Sequence, residues 1–137
     1  MKSRAVMLSA CLLAGCVAPD PDSISATPTT FLAYQALSCP ALAEEDARVA
    51  EEIGYLSYRQ SKRRETDIAG MILFGITSTG LGASDWTPQI AQLKGQRDAI
   101  GKALRHKDCG IAQAPIDSSQ EAILRWSRRA RTEDSNA

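Results

Sequence analysis

The sequence predicts an all-α protein: an antiparallel two-helix hairpin closed by one disulfide, with an apolar, glycine-rich bend and a short C-terminal helix. Three observations lead there. Two stretches, one after Ser38 and one from Thr87, repeat apolar residues at helical spacing. A charge-free apolar run, Ile68 to Ser84, lies between them. Cysteines stand at the two open ends, Cys39 before the first stretch and Cys109 after the second. The chain divides accordingly into residues 1–15, 16–38, 39–110 and 111–137.

Residues 1–15 read as a leader. Lys2 and Arg4 give a positive start, Ala5 to Ala14 form a short apolar run, and Leu13-Ala14-Gly15-Cys16 stands where a signal peptide is cut. The run is too short for a bilayer, which takes ~20 apolar residues. The four residues resemble the lipobox of bacterial lipoproteins. That resemblance covers the leader alone, and implies that Cys16 becomes a lipidated N-terminus carrying palmitate or similar chains. It also implies a membrane-held protein facing the periplasm. Val17, rather than Asp, follows Cys16, which resembles sorting to the outer rather than the inner membrane in some bacteria. The alternative is an ordinary secretory signal that contains a cysteine, although such a signal more usually ends in an A-x-A-like site.

Cleavage before Cys16 leaves 122 residues, one small domain. The basic count then falls from 16 to 14 against 16 acidic residues, a net charge of −2. So balanced a charge gives no reason to expect a nucleic-acid partner or strong electrostatic attraction to a membrane. Cys11 leaves with the leader and Cys16 carries lipid, so Cys39 and Cys109 remain. In an oxidising compartment two thiols permit one intramolecular connectivity. With 69 residues between them, chain entropy gives the bond ~4 kcal/mol. Two unpaired thiols are the alternative.

Residues 16–38 contain Pro19, Pro21 and Pro28 among Asp, Ser and Thr. This composition predicts a flexible tether, and the 22 residues from Val17 to Ser38, fully extended, reach at most ~75 Å. Phe31, Leu32, Tyr34 and Leu37 are expected to pack on the chain's own domain. The first helix should begin at Ser38 or just after, with Pro40 tolerated in the first turn. Leu42, Val49, Ile53 and Leu56 share one face. Ala43, Ala47, Ala50, Gly54, Ser57 and Ser61 form a neighbouring stripe of small residues that would let another helix approach closely. Glu44, Arg48, Glu51, Arg59 and Lys62 make a solvated face, with Glu44 and Arg48 paired four apart. The apolar period stops at Lys62-Arg63-Arg64-Glu65, read as solvated helix in preference to a lipid-headgroup contact.

Ile68–Ser84 holds Met71, Leu73, Phe74 and Ile76 between Gly70, Gly75, Gly80 and Gly82. Three readings compete: local core against the two helices, a dip into a membrane interface, or pairing with copies of itself. Apolar runs of about 10–14 residues are usually buried core, which favours the first. A two-helix domain has little interior to offer, which keeps the others open.

Thr87-Pro88 is a good helix start, with Thr as cap. Ile90, Leu93, Ile100 and Leu104 share a face, interrupted by Arg97. Arg105, His106 and Lys107 suit the last turn, and Gly110 the left-handed stop. Joining Cys39 to Cys109 sets partner numbers to sum to about 148. Val49 then opposes Ile100, Leu56 opposes Leu93, and Arg97 falls near Glu51 and Glu52. The run Gln89-Ile90-Ala91-Gln92-Leu93-Lys94-Gly95-Gln96-Arg97, followed by Lys107-Asp108-Cys109, resembles the second half of small bacterial envelope proteins. Those proteins also place an apolar segment between two cysteine-terminated helices. The resemblance covers residues 39–109, supports the architecture and brings no activity with it.

After Pro115, Ser118-x-x-Glu121 is a capping box that opens a short amphipathic helix. Ile123, Trp126 and Ala130 line one side of it, and Arg125, Arg128, Arg129 and Arg131 are basic. A short helix docked on the hairpin or partly frayed is the reading to prefer; a membrane interface or an anionic polymer is the alternative for Trp126, Arg128 and Arg129.

His106 is the only histidine, and no phosphate loop, nucleophile elbow or Cys/His pair is present. The expectation is therefore a non-enzymatic protein with no cofactor and no metal, a structural or adaptor component of the cell envelope. The alternative is a membrane-perturbing or self-assembling protein that uses the bend 68–84. The partners expected are the membrane, through lipid on Cys16, and an envelope protein or a second copy. The residues expected to touch membrane or partner are Met71, Leu73, Phe74, Ile76, Trp126, Arg128 and Arg129.

Overall fold

The computed structural model describes residues 17–75 and 85–118, together with residues 121, 124, 125 and 128. Helix α1 spans Cys39–Phe74, 36 residues, and helix α2 spans Thr87–His106, 20 residues. Two 3-10 turns, Pro21–Ser23 and Phe31–Tyr34, precede them, and no strand occurs among the described residues. At 1.5 Å per residue α1 is ~54 Å long and α2 ~30 Å. The hairpin is therefore lopsided, and α1 outruns α2 at the end away from the disulfide.

The disulfide joins Cys39 to Cys109 with Cα atoms 5.6 Å apart. Both partners are set by helix-end chemistry. Ser38 caps α1, its Oγ accepting from the Ala41 N–H at 3.4 Å. At the other side α2 closes in a Schellman motif. The Asp108 N–H donates to the Arg105 carbonyl and the Cys109 N–H to the Leu104 carbonyl, each at 3.1 Å. The left-handed residue of that motif is Asp108, φ 51°. Gly110 also has positive φ, 62°, but one residue beyond the bonded turn. Asp is one of the few residues whose short side chain tolerates this conformation.

Leu42, Val49 and Ile53 of α1 meet Leu93, Ile100, Ala103 and Leu104 of α2 in one core. Tyr34, Leu37 and Leu56 pack at its edge. The apolar faces read from the sequence are thus the faces that meet. Arg97, however, does not sit with Glu51 and Glu52. Its Nε lies 3.4 Å from Oδ1 of Asp46, which is 1 % exposed. Asp46 occupies the buried face between Leu42 and Val49, whereas Glu52 is drawn outward to Arg48 at 3.3 Å. Arg48 takes Glu45, at 2.7 Å, rather than Glu44.

The first helix continues past Glu65, where its apolar period stops. It runs nine residues further and stops at Gly75, whose φ of 67° closes the turn. Residues 68–74 are accordingly helix rather than bend. The basic run preceding them is not uniformly solvated either: Arg63 is 8 % exposed.

Residues 17–38 are not a free tether. They form a strap that runs back along the hairpin from the far end to the disulfide. Ala18, Pro21 and Ile24 are buried. The Thr27 N–H donates to the Ala91 carbonyl at 2.8 Å. Lys94 Nζ donates to the Pro21 carbonyl at 2.7 Å and to the Ile24 carbonyl at 2.9 Å. Phe31 packs on His106, ring centres 5.7 Å apart. Gly95 permits this approach, since a Cβ there would stand 1.7 Å from the Thr27 carbonyl oxygen.

A second strap crosses the other side. The Gln113 amide donates to Asp46 Oδ1 at 2.8 Å and the Ala114 N–H to Oδ2 at 2.6 Å. Arg97 donates to the Ala114 carbonyl. The small-residue stripe of α1 receives this segment, not a helix: a Cβ on Gly54 would lie 2.4 Å from the Asp117 carbonyl oxygen. Ala47 of the stripe is exposed. Further on, residues 121, 124, 125 and 128 have helical backbone.

Candidate membrane interface

The end of the hairpin away from the disulfide is built on polar residues. The α1 face that carries Leu42, Asp46, Val49 and Ile53 continues into Gln60, Arg63 and Asp67, all buried. Each is occupied by a contact from outside α1. The Gln60 amide donates to Asp85 Oδ1 at 3.3 Å and to Thr87 Oγ1 at 3.1 Å, and its oxygen accepts from the Trp86 N–H at 3.3 Å. Arg63 lies 3.7 Å from Asp85 and 3.9 Å from Asp67. Arg59 stacks on the Trp86 ring at 4.6 Å. Asp85, not Thr87, is the acceptor at the start of α2, taking the Thr87 N–H at 3.1 Å and the Thr87 hydroxyl at 2.7 Å.

Burial is the largest single influence on the Asp85 carboxyl and pushes it up. The Thr87 and Gln60 hydrogen bonds and the Arg63 charge together outweigh it, so Asp85 titrates below the usual carboxylate range. The cluster thereby holds a carboxylate and a buried guanidinium side by side where α2 begins.

Asp67, wholly buried, ties the first strap to this cluster. Its Oδ2 accepts the Ala18 N–H at 3.0 Å. Arg64 donates to the Ala18 carbonyl at 2.9 Å. The start of the strap is thus pinned to the turn of α1 formed by Arg64 and Asp67.

Beyond Asp67 the helix changes character. Residues 68–75 carry no charge, and Ile72, Leu73 and Phe74 are 76, 70 and 75 % exposed. Met71 is half-buried. Ile72, Leu73 and Phe74 are therefore not the local core expected of the run 68–84, whose residues 76–84 lie outside the described residues. α2 begins at the level of Gln60, so it offers no surface to helix turns that lie past Asp67. Arg128 is exposed, and its Nε donates to the Leu124 carbonyl at 3.0 Å. Ile76, Trp126, Arg129 and Cys16, the residue expected to carry lipid, lie outside the described residues. No helix among the described residues is long and apolar enough to cross a membrane, and no group of His, Cys, Asp or Glu there is arranged to hold a metal.

Periodicity of apolar residues could not find Gln60, Arg63 or Asp67, because each is polar. Their signal was the spacing itself, three, three and four from Ser57 through Gln60 and Arg63 to Asp67, continuing the buried face. No family model, curated protein or solved structure matches the chain.

Proposed function

We propose that the chain is a non-enzymatic lipoprotein of the bacterial cell envelope, held to a membrane through Cys16 and acting as a structural or adaptor component. The leader motif Leu13-Ala14-Gly15-Cys16 carries the reading. The docked strap supports it. A lipid placed on the residue before Val17 would emerge from a fixed point on a rigid rod, since the Ala18 N–H and carbonyl are both held by α1. The disulfide end of that rod would then point away from the bilayer, where a partner in the periplasm would meet it. The outer membrane is the membrane proposed.

Intact-mass measurement of membrane-extracted protein tests this. The mature species should begin at Cys16 and carry acyl chains, and Cys16→Ser should abolish them and leave precursor or soluble protein. A mature wild-type species without acyl chains contradicts the proposal.

A further inference from the structure

We propose that the apolar end of α1, Ile72-Leu73-Phe74, inserts into the surface of the same bilayer that receives the acyl chains of Cys16, so that the rod rests on two membrane contacts at one end. The inference deepens the lipoprotein reading and rests on it.

Three consecutive large apolar residues at 70 to 76 % exposure are more than the scattered apolar residues of an ordinary surface. They sit at the extreme end of α1, past the last charged residue, Asp67, whose carboxylate is consumed by the strap. The seven residues Ile68–Phe74 extend ~10 Å, which matches the ~5–10 Å depth of interfacial insertion. The chain outside the described residues says what covers this end. Val17 is the first described residue, and Ala18 beside it is fixed to Asp67. Cys16 precedes Val17 by one Cα step of ~3.8 Å. Ala18, held to Asp67, therefore lies within about two helical turns of the exposed apolar residues, and acyl chains on Cys16 would start two residues from it. A bilayer reached by those chains is the apolar phase nearest to them.

The nearby charge is mixed. Lys62 pairs with Glu65 at 2.9 Å, Arg64 is held by the Ala18 carbonyl, and Arg63 lies against Asp67 and Asp85. The insertion is accordingly driven by apolar burial, and anionic lipid is not required.

The test uses the full lipidated chain. With Cys16 acylated and Cys39 joined to Cys109, Phe74→Cys supplies the one free thiol for a bimane label, and Lys107→Cys supplies it at the disulfide end. Each protein is reconstituted in phosphatidylcholine vesicles containing nitroxide-labelled lipid. Quenching at position 74 should exceed quenching at 107 several-fold, and should be unchanged by added salt or phosphatidylglycerol. Equal quenching at the two positions overturns the proposal. Pyrene at position 74 giving excimer emission in place of lipid quenching assigns the end to a second copy, and also overturns it. Acyl mass is read on the same preparation. Acylated protein without quenching sinks the insertion alone, whereas protein without acyl chains sinks the lipoprotein reading and this inference with it.

Discussion

Asp46→Ala should be among the most damaging single substitutions in the chain. The carboxylate is 1 % exposed and accepts from the Gln113 amide at 2.8 Å and the Ala114 N–H at 2.6 Å. It also faces Arg97 Nε at 3.4 Å. Hydrogen bonds to a charged group contribute about 1.5–3 kcal/mol each, but desolvating the carboxylate offsets part of that. What remains after truncation is a guanidinium 17 % exposed with its counter-charge gone. Removing one partner of a buried pair costs about 3–5 kcal/mol. Because Arg97 keeps some access to water and retains the Ala114 carbonyl, the lower half of that range applies. The control is Asp46→Leu with Arg97→Met, which removes both charges and should recover most of the loss. Urea unfolding with the disulfide intact measures both. A cost below about 1 kcal/mol for Asp46→Ala, or a double variant as unstable as the single one, would refute the reasoning.

Two further outcomes follow from the same contacts. Replacing Cys39 and Cys109 together by serine opens a loop of sequence separation 70 and should lower unfolding free energy by ~4 kcal/mol, read by the same urea titration; an unchanged midpoint would mean the loop is closed by other contacts. The folded-state Asp85 carboxyl titrates below its ordinary value of 3.8, so its contribution is present above that value and lost as pH falls through the folded one. Asp85→Asn should therefore be less stable than the parent at neutral pH, with the gap closing below about pH 4; thermal melts showing a gap independent of pH would contradict this.

The hairpin was legible because its signals are apolar and local. Ser38 with Pro40, Thr87 with Pro88, and the faces of Leu42, Val49, Ile53 and of Ile90, Leu93, Ile100, Leu104 each follow from spacing and helix-end chemistry. The far end was not legible, since Gln60, Arg63 and Asp67 are buried by partners distant in sequence, Ala18 and Asp85 among them. Composition likewise misread the strap. A polar, proline-rich segment usually fails to bury enough apolar surface to order itself. Here helix side chains do the ordering: Lys94 and Arg64 bond to strap carbonyls, and Gly95 leaves room for Thr27. Such contacts use the backbone of the strap, so its side chains carry little sign of them. A different cause hid the apolar end of α1. Charge-free residues suggested core, and only the difference in length between the two helices shows that α2 does not reach them.

Residues 17–38 form a docked strap whose first residues, Val17 and Ala18, lie beside Asp67 near the apolar end of α1. Native-state hydrogen exchange at the Ala18 and Thr27 amides tests it most directly. Ala18 donates to Asp67 and Thr27 to Ala91, so both amides should be protected to a degree comparable with the core of α2. In Gly95→Val, where the side chain would strike the Thr27 carbonyl, protection at Thr27 should vanish while Ile100 keeps its own. Exchange of Ala18 and Thr27 at the rate of an unstructured chain in the parent protein would contradict the account.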